Sequence, residues 1–286
     1  MCSSDLAKTL HDYNKNIVIF GEPWCADRSM LPADKAAHKG NANKFKGYGF
    51  FSDSMRDSLV RTSKDIRSAG WCANYVSPSD ADQKRIAEGI KGTAGDVLDP
   101  NKIINYASCH DNRTLLDRVK FDGITNEKDA KRVALLANSI VLTSNGIAFM
   151  LAGEEFYRTK GGSDNSYNLS FKVNELDYSL KLHNIDTFKN YQKLIALKQK
   201  VFDLSLDKEM NTLLNVDTKR QNVISYDLDE GESGRKYKVF HVNGYRTGPV
   251  VVNLSGYNLY LDTINSHKEI SNSVALIPYE TLIVYK

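Results

Sequence analysis

Apolar residues in the first two thirds of the chain come as short, uninterrupted runs, each followed by a polar cluster and then a helical pattern. The first run is Ile17-Val18-Ile19-Phe20. It lacks the every-other-residue alternation of a half-exposed strand, so it predicts a strand covered on both faces, as in parallel sheets flanked by helices. Ser4 and Asp5 are placed to cap a preceding helix that reaches about Asn14. Gly47 to Phe51, Lys102 to Ala107 and Ile147 to Leu151 predict three further strands. Ala130, Val133, Ala134, Ala137, Ile140 and Val141 recur at helical spacing and predict an amphipathic helix over about Lys128 to Thr143. Other helices are expected after Ser52 or Asp53, near Ala81 to Ile90, and from about Asp186 to Lys200. The stretch between the fourth strand and about Lys181 reads as a polar loop. After Phe202 the texture changes to short runs between turn residues, within Asn222 to Asp227, Tyr237 to Val242, Val250 to Leu254 and Thr281 to Tyr285, which predicts an antiparallel β domain. The expected fold class is α/β plus all-β, divided into residues 1–201 and 202–286.

Composition narrows the function classes. At 286 residues the chain can bury a sizeable core, and 41% hydrophobic with 26% charged residues is ordinary for a soluble globular protein. No apolar run approaches the roughly 20 residues of a membrane span, so no membrane partner is expected. The net charge of +3 is small, and no Lys/Arg cluster is interleaved with aromatic residues, which argues against nucleic acid. Cys2, Cys25, Cys72 and Cys109 form no C-x-x-C pair and have no histidine at zinc-site spacing. They read as free thiols in a reducing compartment. Met1 to Asn16 lacks a basic start followed by an apolar segment, so no secretory signal is visible and a cytoplasmic location is expected.

The chemistry lies where the apolar runs stop. Parallel strands bring their carboxyl ends to one rim, the edge at which α/β barrels place catalytic groups. Three clusters fall there: Glu22 after the first run, His110-Asp111-Asn112 after the third, and Arg158 through Asn168 after the fourth. Glu22 sits between Gly21 and Pro23, beside Trp24. An apolar wall there would disfavour the ionised carboxylate and suit a general acid; a surface glutamate after a core strand fits the same residues. His110 beside Asp111 also fits a structural hydrogen-bonding pair, and Asp164-Asn165-Ser166 an ordinary turn. Their joint placement after successive strands favours a functional rim.

Gly21-Glu22-Pro23-Trp24, Asn105-Tyr106 with His110-Asp111-Asn112, and Gly153-Glu154-Glu155-Phe156 with Arg158-Thr159-Lys160 and Asp164-Asn165-Ser166-Tyr167-Asn168 resemble type I pullulanases, debranching members of the α-amylase family. The combination of Arg-Thr-Lys and Asp-Asn-Ser-Tyr-Asn separates this branch from common α-amylases. The resemblance covers nearly the whole chain and is weakest after Phe202. It implies the C-terminal half of a (β/α)8 TIM barrel, strands five to eight, followed by an antiparallel β-sandwich. By that resemblance Glu22 is the general acid/base of a retaining α-1,6-glucan hydrolase, and Asp111 stabilises the transition state. His110 would join Asp111 on the sugar hydroxyls, Arg158, Asp164, Asn165 and Tyr167 would line the glucan side, and Trp24 would stack on a ring. The implied partner is an α-glucan such as pullulan, branched maltodextrin or glycogen, with no cofactor and no metal.

Three departures from the pattern qualify this picture. Ser108-Cys109 stands where such enzymes usually have Glu-Ser, and Tyr178 follows Asp177 where a Trp is common. The family's nucleophile, an Asp in a Phe-Arg-Phe-Asp type motif at the end of the fourth barrel strand, has no counterpart. The chain is therefore expected to be inactive alone and to pair with a missing N-terminal half or, in isolation, to self-associate through its unpaired strands. A non-catalytic glucan-binding fragment, or an isoamylase- or branching-type enzyme, are the alternatives.

Overall fold

The computed structural model describes residues 3–22, 31–45, 47–62, 68–74, 76, 79–95, 97–202, 214–231, 234–245 and 248–286. The first half is built on a four-stranded parallel sheet in the order β1-β2-β3-β4, formed by β1 (Phe20–Gly21), β2 (Gly49–Phe51), β3 (Ile103–Asn105) and β4 (Ile147–Ala148). Each strand pairs with the next in sequence, through Phe20 opposite Gly49, Phe50 opposite Ile103 and Ile104 opposite Ile147. All four carboxyl ends consequently lie on one side. Helices α1 (Ser3–Tyr13), α2 (Asp53–Leu59), α3 (Asp80–Lys91), α4 (Leu115–Phe121), α5 (Glu127–Leu142), α6 (Phe171–Asn174), α7 (Ser179–His183) and α8 (Ile185–Val201) complete this part. No helix among the described residues is long and apolar enough to cross a membrane.

Local sequence explains the clearest elements. Asn126 caps α5, its side-chain oxygen accepting from the Asp129 N–H at 3.0 Å, and the helix then turns Val133, Ala137, Ile140 and Val141 into the core. Ser79 caps α3 through the Asp82 N–H. The polar stretch before Lys181 is not all loop, because Phe171–Asn174 and Ser179–His183 wind into short helices.

The expectation that Ile17 to Phe20 forms a strand buried on both faces is corrected by the structure. Only Phe20 and Gly21 pair, both are exposed, and Ile17 to Ile19 are half-buried. β1 and β4 are the two edges of the sheet, each with a single neighbour, whereas the inner strands β2 and β3 carry the buried positions. An apolar run marks a strand meant to be covered and does not by itself supply the cover.

Beyond Val216 the chain is β structure. Strands β5 (Val216–Arg220), β6 (Val223–Asp229), β7 (Lys236–Val242), β11 (Thr281–Tyr285) and β9 (Asn258–Asp262) form an antiparallel sheet in that order, and β8 (Val250–Asn253) pairs with β10 (Ser273–Leu276). Val223, Phe240, Val242, Leu282 and Val284 of the larger sheet share an apolar cluster with Val250, Val274 and Leu276 of the smaller. The opposite face of the large sheet, through Ile224, Tyr226, Val239 and Ile283, joins one core with Trp71, Ile86 and the buried side of α5. A polar pin crosses this boundary. His241 Nε2 lies 2.9 Å from Tyr226 Oη and 3.2 Å from Thr143 Oγ1, and its Nδ1 lies 2.9 Å from Thr281 Oγ1.

Candidate active site

Four aromatic rings, one from each parallel strand or the residue just past it, pack edge to face at the carboxyl ends. Phe51 touches Phe20 at 5.5 Å, Tyr106 at 5.0 Å and Phe149 at 5.3 Å between ring centres. Two of them, Phe51 and Tyr106, line a small cavity of about 80 Å³ together with Glu22, Arg56, Cys109, His110, Asp111 and Asn112. The structure thus brings together Glu22 from the end of β1 and His110 and Asp111 from the loop after β3, as the strand order requires. Glu22 is exposed and stands on the rim. Trp24, the expected stacking partner, lies outside the described residues.

His110 Nε2 and Asp111 Oδ1 are 3.4 Å apart, and both side chains are more than half exposed. A site meant to meet a ligand keeps such groups outward, because a carboxylate and an imidazole buried without partners would be costly. The loop that carries them is anchored from behind. Glu154, buried on the turn after β4, accepts through Oε1 from Ser108 Oγ and from the Leu115 N–H at 3.3 Å, and through Oε2 from Asn138 Nδ2 at 2.9 Å. Burial pushes the Glu154 carboxyl above the usual range. One side chain therefore grips the loop on both sides of His110-Asp111-Asn112. A second anchor is Lys160, whose Nζ donates to the His110 carbonyl at 2.9 Å; burial, together with the neighbouring Arg158 cation, lowers its pKa. Asn112 adopts a left-handed backbone, φ 60°, which asparagine tolerates better than most residues.

The segment after β4 divides its predicted site residues between scaffold and surface. Asp164 accepts from Arg113 Nη1 at 3.0 Å, and that guanidinium lies over the Phe121 ring at 3.9 Å. Arg158 donates to the carbonyls of Ala152 and Asn174, and its Nε is buried without a partner. Asn165 and Tyr167 are exposed, Tyr167 at 80%. Phe171 and Tyr178 add further exposed rings on the same segment. Asp117, at the start of α4, holds Thr159 Oγ1 at 2.5 Å and the Lys160 N–H at 2.7 Å, which ties this segment to the helix after β3.

Two cavity residues escaped the sequence reading. Arg56 donates from Nη1 to Tyr106 Oη at 2.6 Å and grips Asp57 through Nε and Nη2 at 2.9 and 3.1 Å, which puts a fixed cation beside Glu22 and Asp111. The available signal was its place on the short helix that leaves β2, since such helices start at the rim. Cys109 lines the same cavity, and burial raises its thiol pKa. A thiol held protonated is a poor nucleophile. Cys72 and Cys109 are free, as expected; Cys2 and Cys25 lie outside the described residues.

A parallel α/β sheet with a glutamate, a His-Asp pair and an arginine gathered beside aromatic rings at its carboxyl edge is the arrangement in which α/β proteins place their ligand sites. No family model matches the chain. Individual proteins do: the pullulanase of Bacillus subtilis (strain 168) is 32% identical over 238 residues, which cover 79% of this chain and 32% of that protein. The crystal structure of pullulanase type I from the same strain, complexed with maltose, superimposes with a TM-score of 0.85 at 25% identity, over 99% of this chain and 41% of that one. The pullulanase from Bacillus acidopullulyticus gives a TM-score of 0.83 at 28% identity, over 99% and 36% respectively. The chain belongs to the pullulanase family. It spans about a third of the length of the Bacillus subtilis protein.

Proposed function

We propose that the chain is the acid-bearing half of a pullulanase-like hydrolase of α-1,6-glucosidic linkages, with residues 1–201 forming half of a (β/α)8 barrel and residues 202–286 a β-sandwich. The observation that carries this reading is the meeting of Glu22 and His110-Asp111-Asn112 in one cavity beside the rings of Phe51 and Tyr106, contributed by different strands. In this reading Glu22 protonates the departing glycosidic oxygen and later deprotonates the incoming water. His110 and Asp111 hold the hydroxyls of the sugar at the cleavage point, and the Asp111 carboxylate faces the charge that develops as the bond breaks. The exposed faces of Tyr167, Phe171 and Tyr178 offer rings on which further sugars stack.

Retention needs a second carboxylate about 5–5.5 Å from the acid, to attack the anomeric carbon. Among the described residues, the cavity's carboxylates are Glu22 and Asp111, and Asp111 is taken up by the hydroxyl-binding role. The chain thus provides proton donor, stabiliser and part of the glucan surface, and an N-terminal half provides the nucleophile. The open edges of the parallel sheet support this reading. Along β4 a hollow of about 320 Å³ is lined mainly by apolar residues, Val18, Leu142, Ile147, Ala148, Met150 and Ile195, with Lys198 and Gln199 beside them, surface of the type a neighbouring strand and helix cover. Calorimetry with maltotetraose and a reducing-sugar assay on pullulan test the reading together. Binding that weakens at least tenfold in Asp111→Ala, without turnover, is expected; absence of binding, or hydrolysis by the chain alone, would overturn it.

A further inference from the structure

Away from the rim, three side chains with metal-binding chemistry meet where β9 ends and β11 begins. Asp262 closes β9, Glu280 directly precedes β11, and His267 lies on the connection from β9 to β10. One ligand atom from each lies within 4.8 Å of the others. Asp262 and Glu280 are buried, Glu280 completely, and the His267 Nε2 atom is closed off from solvent. That nitrogen stands 3.2 Å from Glu280 Oε1, yet the two are not aligned for a hydrogen bond, and no other described group takes Nε2 up. A buried nitrogen without a hydrogen-bond partner, standing beside the buried Glu280 carboxyl group, is an arrangement that costs free energy as it stands.

The remaining contacts hold the trio in place. Asp262 Oδ2 accepts from the Ser266 N–H at 2.7 Å, Ser266 Oγ at 2.9 Å and the His267 N–H at 2.8 Å, while Oδ1 accepts from the Ile264 N–H at 2.9 Å. Glu280 Oε2 accepts from the Ile277 N–H at 2.8 Å, and Oε1 has Ser266 Oγ only at 3.4 Å. Each carboxyl oxygen accepts at least one hydrogen bond, and Glu280 Oε1, which faces His267, has the longest of them. Hydrogen bonds to ligand carboxylates of this kind are what orients metal ligands in built sites.

We propose that Asp262, His267 and Glu280 form a binding site for a divalent transition metal of the zinc class. Calcium and magnesium take oxygen ligands, whereas an imidazole nitrogen with two carboxylates suits zinc and its neighbours. Donors about 2.0–2.1 Å from a tetrahedral zinc stand roughly 3.3 Å apart. The His267–Glu280 separation of 3.2 Å already matches this. The bound ion neutralises the paired carboxylates and fastens the segment between Asp262 and Glu280 to the edge of the sheet.

The test uses the whole chain, freed of metal with a chelator and titrated with ZnCl2 by calorimetry, with CaCl2 as comparison. One zinc per chain is expected, with calcium at least tenfold weaker. His267→Gln and Glu280→Gln should each weaken zinc at least tenfold, and zinc at about a hundredfold excess over its Kd should raise the wild-type Tm by about 5 °C. Cobalt(II) added to the wild-type chain gives a reading independent of any variant's folding, since a tetrahedral nitrogen-oxygen site produces a visible absorption band. No zinc binding, binding that either substitution leaves unchanged, or no cobalt band would overturn the site.

Discussion

At the carboxyl edge of the parallel sheet the ionisable groups of the candidate site stand outward, whereas in the antiparallel domain His241 and Glu280 are turned into the core. His110 and Asp111 are more than half exposed and lean on scaffold residues behind them. His241, Glu280 and Thr281 are fully buried and answer one another or their neighbours. The edges differ in the same sense, because β1 and β4 leave apolar residues at an open border while the faces of the antiparallel sheet pack on the core and on the β8–β10 pair. One region keeps its interactions in reserve for something outside itself. The other turns His241, Tyr226 and Thr281 to its own cohesion.

This contrast can be broken in several ways, and the largest effect expected is on association. Isolated chain at micromolar concentration should self-associate through the border at Phe20 and Ile147, where Phe20 is 43% exposed. Light scattering checks this; a stable, monodisperse monomer would show that the border is not the open edge described. Acid is expected to act next most strongly, through the second region. Burial depresses His241 from 6.5 to about 3. Because the unfolded chain takes up that proton first, the contribution of neutral His241 is complete above about pH 6.5 and is lost as the pH falls toward about 3. Chemical denaturation across that window should show a decline of a few kcal/mol from this group, and His241→Gln should flatten it.

Smaller effects sharpen the comparison at single hydrogen bonds. Tyr226→Phe removes the hydroxyl between His241 and Thr143 and should cost about 1–2 kcal/mol in urea unfolding. His110→Ala at the rim should change stability by under about 0.5 kcal/mol, the range of an exposed substitution, while weakening maltotetraose binding. Equal losses of stability from these two substitutions would erase the distinction between the regions.

Much of this arrangement is legible in the chain, and the reasons for the exceptions are physical. The spacing of Val133, Ala137 and Ile140 declared α5 because helical periodicity is a local signal, while its Asn126 cap emerged only in the structure. Glu22 and His110-Asp111 were joinable because parallel strands must bring their carboxyl ends together. The burial of Ile17 to Phe20 was misjudged because cover depends on a neighbour strand and not on the run itself. Strands β5, β9 and β10 were missed: Val216-Asp-Thr-Lys-Arg carries one apolar residue, and Asn258–Asp262 and Ser273–Leu276 lack the continuous β-branched runs of β8 and β11. The Arg113–Asp164 pair joins residues 51 apart in the chain, and the grip of Glu154 on Ser108 spans 46. Such contacts are set by packing, so a reading of motifs assigned Asp164 to the glucan without seeing its ion pair.

The central claim is that this chain carries the acid of a glucan-cleaving site whose nucleophile comes from another half. The most direct measurement mixes the purified chain with a separately produced N-terminal barrel half of the Bacillus subtilis relative and follows reducing-sugar release from pullulan. Neither half alone should release sugar, the mixture should, and Glu22→Gln in this chain should cut the restored rate by several orders of magnitude. Cleavage by the chain alone, or a mixture that works as well with Glu22→Gln, would contradict the account.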